Sequence, residues 1–124
     1  MHVEGTPRDI AAFPRDETYR IAIEAVRNAF RHAHAKRIEV EIRYGQRRFR
    51  LRIRDDGKGM DSKILSRHRN EGHYGLTGMH ERADSIGGKL VVWSQLDAGT
   101  EIELTVPASI AYAKSTVAQN PMKQ

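Results

Sequence analysis

Three polar clusters in this chain of 124 residues combine types and spacing that could do chemistry. In the first, Glu24, Asn28 and His32 recur every fourth residue on a stretch with helical periodicity and so share one stripe. An amide oxygen suits Mg²⁺, which proteins usually hold with one or two oxygens while phosphates and waters complete the octahedron. Arg31 and His32, one turn beyond Asn28, are placed to reach a phosphate. The stripe also fits the solvent-facing edge of an amphipathic helix.

The second cluster, Asp55-Asp56-Gly57-Lys58-Gly59, follows an alternating strand pattern. Asp-Gly is a frequent turn pair, so on its own this cluster favours a plain turn. The third cluster is the glycine-rich stretch of residues 72–83. Within it, five residues lead into a predicted helix and offer free backbone amides to an anion: Gly75, Leu76, Thr77, Gly78 and Met79. The stretch is not a P-loop, which ends in Gly-Lys-Ser/Thr, and it does not follow a strand as a dinucleotide fingerprint would.

Apolar periodicity predicts two helices that position these clusters. The first covers residues 16–33, with Asp16 and Glu17 in its first turn, where the helix dipole favours anions. We expect its buried surface to consist of Tyr19, Ile21, Ala22, Ile23, Ala25, Val26, Ala29 and Phe30. The second covers residues 78–86 and ends at Gly87-Gly88. The polar residues 61–77 before it predict a long loop of the kind that is usually functional or mobile.

Strict alternation of apolar and polar residues predicts strands over residues 38–44 and 49–53, joined by a turn at Gly45. Further strands are predicted over residues 89–94 and 101–106. Because one face of this sheet is polar, a doubly wound parallel sheet is disfavoured. The predicted fold is a two-layer α/β sandwich with a mixed, mostly antiparallel sheet and helices on one face. Residues 1–107 form the predicted domain, and residues 108–124 a flexible tail.

Composition limits the classes of function. There is no cysteine, so there is no disulfide framework or thiolate metal site. No stretch approaches the roughly 20 apolar residues of a membrane span. The formal charge of +5 suggests nucleic acid, but the densest arginines, Arg47, Arg48, Arg50, Arg52 and Arg54, alternate with apolar residues as on a solvated strand face. We therefore expect no nucleic-acid partner.

Taken in order, the three clusters resemble the ATP-binding domain shared by gyrase, MutL and sensor histidine kinases, whose fold is the Bergerat α/β sandwich. "EAVRNAFRHA" resembles the N box of bacterial two-component kinases of the nitrate-sensor and desaturase-sensor type. "DDGKGMD" resembles the first glycine box, "GHYGLTGMHERADSIGG" the second, and "GTEIELTVP" the closing strand. The resemblance covers the chain from about Val3 to Pro107.

The resemblance implies roles at the adenine. Asp55 would accept a hydrogen bond from the adenine amino group, which selects against guanine because guanine carries a carbonyl acceptor there. Gly57 and Gly59 would let the backbone pass close to the base, and Thr100 would assist beside it.

The resemblance also implies roles at the phosphates. Asn28 would hold Mg²⁺, Arg31 or His32 would touch the phosphates, and the amides of Gly75 to Met79 would cradle them. The resemblance implies a catalytic position for Glu24 but leaves its role open. In ATP-hydrolysing relatives this residue orients a water, whereas in this type of kinase the base lies beside the acceptor histidine.

Two departures from the family pattern stand out. His80 replaces the arginine of "GMRERA", which weakens one cation near the phosphates unless His80 is protonated. No phospho-accepting histidine is present: none of the histidines lies in a preceding helix of the family's His-Asp/Glu type. These residues are His2, His32, His34, His68, His73 and His80. The abrupt start at "HVEG", which looks like the end of a strand, predicts a fragment of a longer kinase.

The expected function is therefore that of the catalytic domain of a sensor histidine kinase. It would bind Mg·ATP and transfer the γ-phosphate to a histidine on a separate dimerisation domain, for relay to a response regulator. We expect a monomeric isolated domain, a dimeric parent kinase and a cytoplasmic location, whether or not the parent has a membrane anchor. The alternatives are a serine kinase of the anti-sigma type, which "GHYGLTGM" argues against, and a non-catalytic docking module of the same fold.

Overall fold

The computed structural model of the chain describes residues 1–31, 33–61 and 75–114. In these residues the strands are β1 His2–Glu4, β2 Ile38–Tyr44, β3 Arg48–Asp55, β4 Lys89–Gln95 and β5 Gly99–Pro107. They form a five-stranded sheet in the order β1-β2-β3-β5-β4. β1 runs parallel to β2, and the other neighbours are antiparallel. The mixed, mostly antiparallel sheet is therefore confirmed, and so is the strand ending at "HVEG".

The described helices are α1 Ala12–Arg31, α2 Leu76–Ser85 and α3 Ala108–Ala111. They pack on the face of the sheet that carries Phe49, Leu51 and Ile53 of β3 and the alternate apolar residues of β4 and β5. Among the described residues, no helix is long and apolar enough to cross a membrane. The two-layer sandwich follows from the strand alternation, because only one face of the sheet is apolar enough to be covered.

The outer face of the sheet carries ion pairs between neighbouring strands. Glu41 of β2 accepts from Arg50 and Arg52 of β3, and Arg50 also lies 3.6 Å from Glu103 of β5. Arg54 pairs with Glu101 at 2.9 Å. The alternating arginines thus occupy a solvated strand face, as their spacing predicts.

α1 begins four residues earlier than the predicted start at Asp16. Pro14 lies in the first turn, where a missing N–H is tolerated because that group has no helical partner. The prediction that Asp16 and Glu17 occupy the first turn is wrong, since that turn holds no acidic residue. His32, which the sequence places at the end of this helix, lies outside the described residues.

The buried face of α1 is also narrower than predicted. Ile21, Ala25 and Ala29 are buried as expected, but Tyr19 and Phe30 are 65% and 66% exposed, and Ile23 lies at the surface. The predicted apolar surface spans more of the helix circumference than one sheet can cover. The sheet covers the side with the alanines, whose small side chains let helix and strands approach closely.

α2 begins at Leu76, two residues before the predicted start, and follows Gly75 in the left-handed conformation. Its predicted end is confirmed. Gly87 has a φ of +68° and donates to the Asp84 carbonyl, and Gly88 donates to the Ala83 carbonyl. Residues 62–74 of the predicted loop 61–77 lie outside the described residues.

The predicted tail begins too early. α3 follows directly after β5, and the buried Tyr112 donates its hydroxyl to the Gly45 carbonyl at 2.7 Å. The Ala11 and Ala113 amides donate to the carbonyls of Ala111 and Asp9. These contacts join the segment after Pro107 to the start of α1, so the boundary at residue 107 is wrong. Residues 115–124 lie outside the described residues.

Candidate functional site

A pocket opens between α1 and the ends of β3 and β5. Its wall is formed by Ala25, Asn28, Ala33, Ile53, Asp55, Gly59, Met60, Thr100 and Ile102. Four predicted site residues therefore meet in one cavity: Asn28 from the helix, Asp55 and Gly59 from the end of β3, and Thr100 from β5. The antiparallel register explains part of this meeting, because Asp55 and Thr100 are direct cross-strand partners.

Asp55 is the polar centre of the pocket. It is only 9% exposed, and its Oδ1 accepts from the Gly57 amide at 2.8 Å. Burial raises the pKa of this carboxyl above its ordinary value, although backbone hydrogen bonds from Gly57 and Thr100 oppose the rise. Within the described residues Asp55 forms no ion pair. A buried carboxylate without a cation is suited to accept hydrogen bonds from a polar ligand.

Asp56, the next residue, supports the fold and does not face the pocket. Its Oδ1 accepts from the Lys36 and Arg37 amides at 2.8 and 3.0 Å, which ties the end of β3 to the segment entering β2. These hydrogen bonds lower the pKa of the Asp56 carboxyl, and the side chain points away from the pocket into solvent. The two adjacent acids thus divide into one facing the pocket and one supporting the fold.

Both glycines of the first glycine box permit close approach within the protein itself. At Gly57, an added Cβ would lie 2.4 Å from the Ala33 Cβ, and the neighbouring Lys58 amide donates to the Ala33 carbonyl. At Gly59, φ is +68° and an added Cβ would lie 2.1 Å from the Gln95 carbonyl oxygen. The turn is therefore held between the end of α1 and the β4–β5 turn, and this fixes one wall of the pocket.

Ser94 and Met60 belong to the site but are absent from the sequence prediction. The Ser94 Oγ donates to the Gly99 carbonyl at 3.0 Å, accepts from the Met60 amide at 2.7 Å and lies 2.7 Å from the Thr100 Oγ1. The Ser94 and Thr100 hydroxyls share a hydrogen bond in which either can be the donor, and this contact holds the Thr100 side chain at the pocket wall. A signal existed: Ser94 is a polar residue on the inward, otherwise apolar face of β4.

The glycine-rich start of α2 meets α1 at Glu24. An added Cβ on Gly75 would lie 2.8 Å from the Glu24 Cδ, and the φ of +71° at this position favours glycine. Leu76 and Met79 are buried in the core, and they can serve a ligand only through their backbone amides. Gly78 faces open space, since nothing lies within 4 Å of its added Cβ.

The remaining predicted site residues do not line this pocket or lie outside the described residues. Arg31 ends α1 and is exposed, outside the wall of the pocket. His32 lies outside the described residues, so the predicted choice between Arg31 and His32 stays open. Thr77 lies in the first turn of α2. His80 is 8% exposed within α2, so a charged imidazole there would have to be desolvated.

The residues present suit a magnesium ion that is held mainly by ligand phosphates and water, with few protein side chains. The described residues contain no group of three or more histidine, cysteine, aspartate or glutamate side chains that could hold a metal. Asn28 lines the pocket instead, and its side-chain amide carries one oxygen. That donor set suits Mg²⁺ held largely by ligand phosphates and water.

A protein-family model of histidine kinase-, DNA gyrase B- and HSP90-like ATPases matches residues 14–110. The chain belongs to this family. The family's nucleotide is ATP. The predicted family resemblance is confirmed, whereas the nitrate-sensor and desaturase-sensor type stays a prediction.

Curated relatives from Bacillus subtilis (strain 168) are similar along 74% of this chain. The sensor histidine kinase LiaS is 40% identical over 94 residues, which are 24% of its own length. The sensor histidine kinase YdfH is 39% identical over 93 residues, or 22% of its length. The signal transduction histidine-protein kinase/phosphatase DegS is 37% identical over 92 residues, or 24% of its length. The chain spans about a quarter of the length of these ATPase-family relatives.

Solved structures of the same family confirm the fold. The histidine kinase domain of the blue-light activated kinase of Erythrobacter litoralis EL346 superposes with a TM-score of 0.69 at 23% identity, over 87% of this chain and 54% of that one. The ATP binding domain of PrrB from Mycobacterium tuberculosis gives 0.61 at 17% identity, over 74% and 67%. The Bergerat sandwich predicted from the sequence is thus the fold of this chain.

Proposed function

We propose that the chain is the ATP-binding catalytic domain of a sensor histidine kinase. It binds Mg·ATP and presents the γ-phosphate to a histidine on a separate dimerisation domain of the parent kinase. The phosphoryl group then passes to a response regulator. The observation that carries the proposal is the buried Asp55 carboxylate, which faces a pocket in a chain whose named relatives are sensor kinases.

Adenine is the base that the pocket suits. Ile53 and Ile102 supply apolar contact for a flat ring, and Asp55 supplies an acceptor for the adenine amino group. Thr100, whose hydroxyl is hydrogen-bonded to that of Ser94, adds a further polar group at the same edge. Guanine presents a carbonyl where adenine has its amino group, so it would leave the Asp55 carboxylate without a donor.

The phosphates would lie between α1 and the start of α2. α2 starts at this side, after Gly75 that lies against Glu24 of α1, and a helix N-terminus favours anions. Asn28 would hold Mg²⁺, which neutralises phosphate charge, with Arg31 or His32 as the further contact. In the transfer, a histidine nitrogen bonds to the γ-phosphorus, the bond to the β-phosphate oxygen breaks, and ADP leaves. This chain contributes positioning and charge.

Glu24 lies against Gly75, and this contact supports a role for Glu24 at the end of the site where we propose that the phosphates bind. We propose that it orients the phosphate end and leaves proton removal to a base beside the acceptor histidine. The monomeric state of the isolated domain, the dimeric state of the parent and a cytoplasmic location complete the proposal.

Two measurements test this function. Titration with labelled ATP, with and without Mg²⁺, separates a nucleotide-binding domain from a docking module that binds none. Incubation with γ-labelled ATP should leave the isolated 124 residues without acid-labile label and should label an added dimerisation domain of the parent kinase. Stable labelling of the isolated chain would contradict the proposal and favour a serine kinase or another phosphotransfer chemistry.

A further inference from the structure

A cavity lies on the outer face of the sheet, at the end where β2 turns into β3, and has a volume of about 610 Å³. We call it the arginine cavity, because its described lining includes Arg43, Arg47, Arg48 and Arg50 and a single acid, Glu103. Asp55 lies seven residues along β3 from Arg48, or roughly 23 Å away, and faces the other side of the sheet. The arginine cavity is therefore separate from the pocket beside α1.

The strand register brings like charges together at the arginine cavity. Farther along β3, Arg52 and Arg54 each have a glutamate as direct partner on both neighbouring strands. Arg50 instead has Arg43 opposite it on β2 and Thr105 opposite it on β5. Like charges directly opposite each other destabilise a sheet. Folding alone therefore does not account for the arginine pair, whereas an anion bound beside the two side chains would.

The ion pairs at the arginine cavity leave positive charge uncompensated. Arg50 is shared between two glutamates, one on each neighbouring strand. Arg43 lies 3.9 Å from Glu4, and because both side chains are about half exposed, this pair contributes little. Arg47 and Arg48 are exposed and form no ion pair within residues 1–31, 33–61 and 75–114. The charges of Arg47 and Arg48 are therefore available to a ligand.

The arginine cavity also offers hydrogen-bond donors. The Arg50 Nε is buried and has no hydrogen-bond partner in the described part of the chain. A buried donor without an acceptor is unfavourable, so an oxygen brought to Arg50 would remove that cost. Gln46 and Thr105 add an amide and a hydroxyl to the same lining. Because a planar guanidinium presents paired donors to one phosphate or carboxylate, this set of side chains suits an oxyanion.

We propose that the arginine cavity binds a soluble ligand with two or more linked phosphate groups. Linked phosphates carry several negative charges close together, so they match several arginines better than a single carboxylate does. A nucleic acid is a poorer occupant, because no aromatic side chain among the described residues lines the cavity for a base to stack on. A membrane surface is also a poorer occupant, because the described lining offers no apolar side chain to insert. The proposal does not rest on the proposed function.

NMR titration of the backbone amides tests the site with inorganic triphosphate and orthophosphate as probes, in about 0.1 M salt without Mg²⁺. We expect saturable shifts at the Gln46, Arg47 and Thr105 amides. Triphosphate should bind there at least about tenfold more tightly than orthophosphate, because its linked phosphates engage separate arginines. Equal affinities for the two probes, or triphosphate shifts confined to Gly75 and Met79 at the start of α2, would overturn the proposal.

Matched double substitutions locate the contact. Arg47→Gln combined with Arg48→Gln should weaken triphosphate binding at least about tenfold, and the main-chain carbonyls of both residues still accept their hydrogen bonds. Lys36→Gln combined with Arg37→Gln removes two charges from an adjacent exposed pair at the other end of the sheet. This control should change the affinity less than about twofold, because salt screens charges at that distance. Equal weakening by both variants would overturn the proposal. Circular dichroism of each variant confirms that it is folded.

Two further probes test the class of ligand: vesicles that contain phosphatidylserine, and an oligomer of about ten thymidines. If either probe binds the wild-type chain but not the Arg47/Arg48 variant, and triphosphate does not bind, the proposal is overturned in favour of a membrane or a nucleic acid. An ATP titration that follows the Gly59 and Thr100 amides separates this inference from the proposed function. Loss of the triphosphate result alone contradicts this inference, and failure of ATP to bind contradicts only the proposed function.

Discussion

Asp55, Gly59, Ser94 and Thr100 form a base end of the site, whereas Glu24, Asn28, Gly75 and Gly78 form a helix end. The base end lies on strands and turns whose backbone hydrogen bonds and register fix the side chains. The helix end lies on α1 and the start of α2, which meet where Gly75 lies against Glu24. We infer that the base end is preformed and selects the ligand, and that the helix end, with fewer backbone hydrogen bonds between its two elements, is the more open of the two.

The sharpest contrast between the two ends comes from their glycines. Gly59→Ala places a side chain at positive φ, which costs about 1–2 kcal/mol, and a Cβ 2.1 Å from a backbone oxygen, which adds to that cost. We expect the free energy of unfolding to fall by more than about 2 kcal/mol in urea titrations. Gly78→Ala, in a helix with open space, should instead stabilise the chain by up to about 1 kcal/mol. If both substitutions changed the free energy of unfolding in the same direction, the base end and the helix end would not differ in rigidity.

At the helix end, Asn28→Ala should abolish the gain in ATP affinity that Mg²⁺ confers, because the pocket loses its amide oxygen. Binding of ADP without metal should change little, since the base end is untouched. Calorimetric titrations with and without Mg²⁺ measure both quantities. If Mg²⁺ still raises ATP affinity in the variant as in the wild type, Asn28 is only a helix-surface residue.

Ser94→Ala tests how the base end orients Thr100. The variant leaves the Met60 amide and the Thr100 hydroxyl without their shared partner, which costs about 1–3 kcal/mol of folding stability. We expect ATP to bind a few-fold more weakly because the Thr100 hydroxyl loses the partner that fixes its orientation at the pocket wall. Ser85→Ala is the matched control, since this exposed hydroxyl bonds only within its own helix, and its effect should stay within about 0.5 kcal/mol. Equal effects of the two substitutions would exclude Ser94 from the site.

The smallest expected effect is a difference in pH dependence between neighbouring acids. The folded pKa of Asp55 is raised, so this carboxyl's contribution to stability is full below the ordinary value of 3.8 and is lost as pH rises through the folded pKa. The folded pKa of Asp56 is lowered, so its contribution is present above 3.8 and is lost as pH falls through the folded pKa. Relative to wild type, Asp55→Asn should therefore gain stability from about pH 3 to pH 7, and Asp56→Asn should lose it. Thermal unfolding of both variants measures these trends across the pH range. If both variants gained stability relative to wild type as the pH rises, or both lost it, the two assignments would be contradicted.

The strands of this fold were predictable because alternation with period two marks one face of a sheet unambiguously. Residues 38–44 are predicted and observed as the same strand. The buried face of α1 was harder to predict, because the apolar residues cover more than half of the helix circumference. Periodicity alone could not tell the side that the sheet covers, at Ile21 and Ala25, from the exposed side at Tyr19 and Phe30.

At the site, residue type indicates the side chains that a ligand would contact. It does not indicate the residues that hold those side chains in place. Asp55 and Asn28 stood out as polar residues in unexpected places, and the structure brings both to one pocket. The support from Ser94 depends on the β4–β5 pairing, which sets Ser94 opposite Thr100. The ordered segment around Tyr112 was missed because its contacts, at Gly45 and Arg8, are distant in sequence and leave no local period.

The central claim is that Asp55 selects adenine, and competition between ATP and GTP tests it most directly. We expect the wild-type chain to prefer ATP, and Asp55→Asn to lose about 10- to 150-fold in ATP affinity, which corresponds to a charge-assisted hydrogen bond of about 1.5–3 kcal/mol. GTP affinity should fall less or rise, because the amide can donate to the guanine carbonyl. Asp97→Asn, an exposed position with positive φ that asparagine tolerates, removes the same charge and should leave both affinities unchanged. An ATP-to-GTP preference that is the same in wild type and Asp55→Asn would contradict the claim.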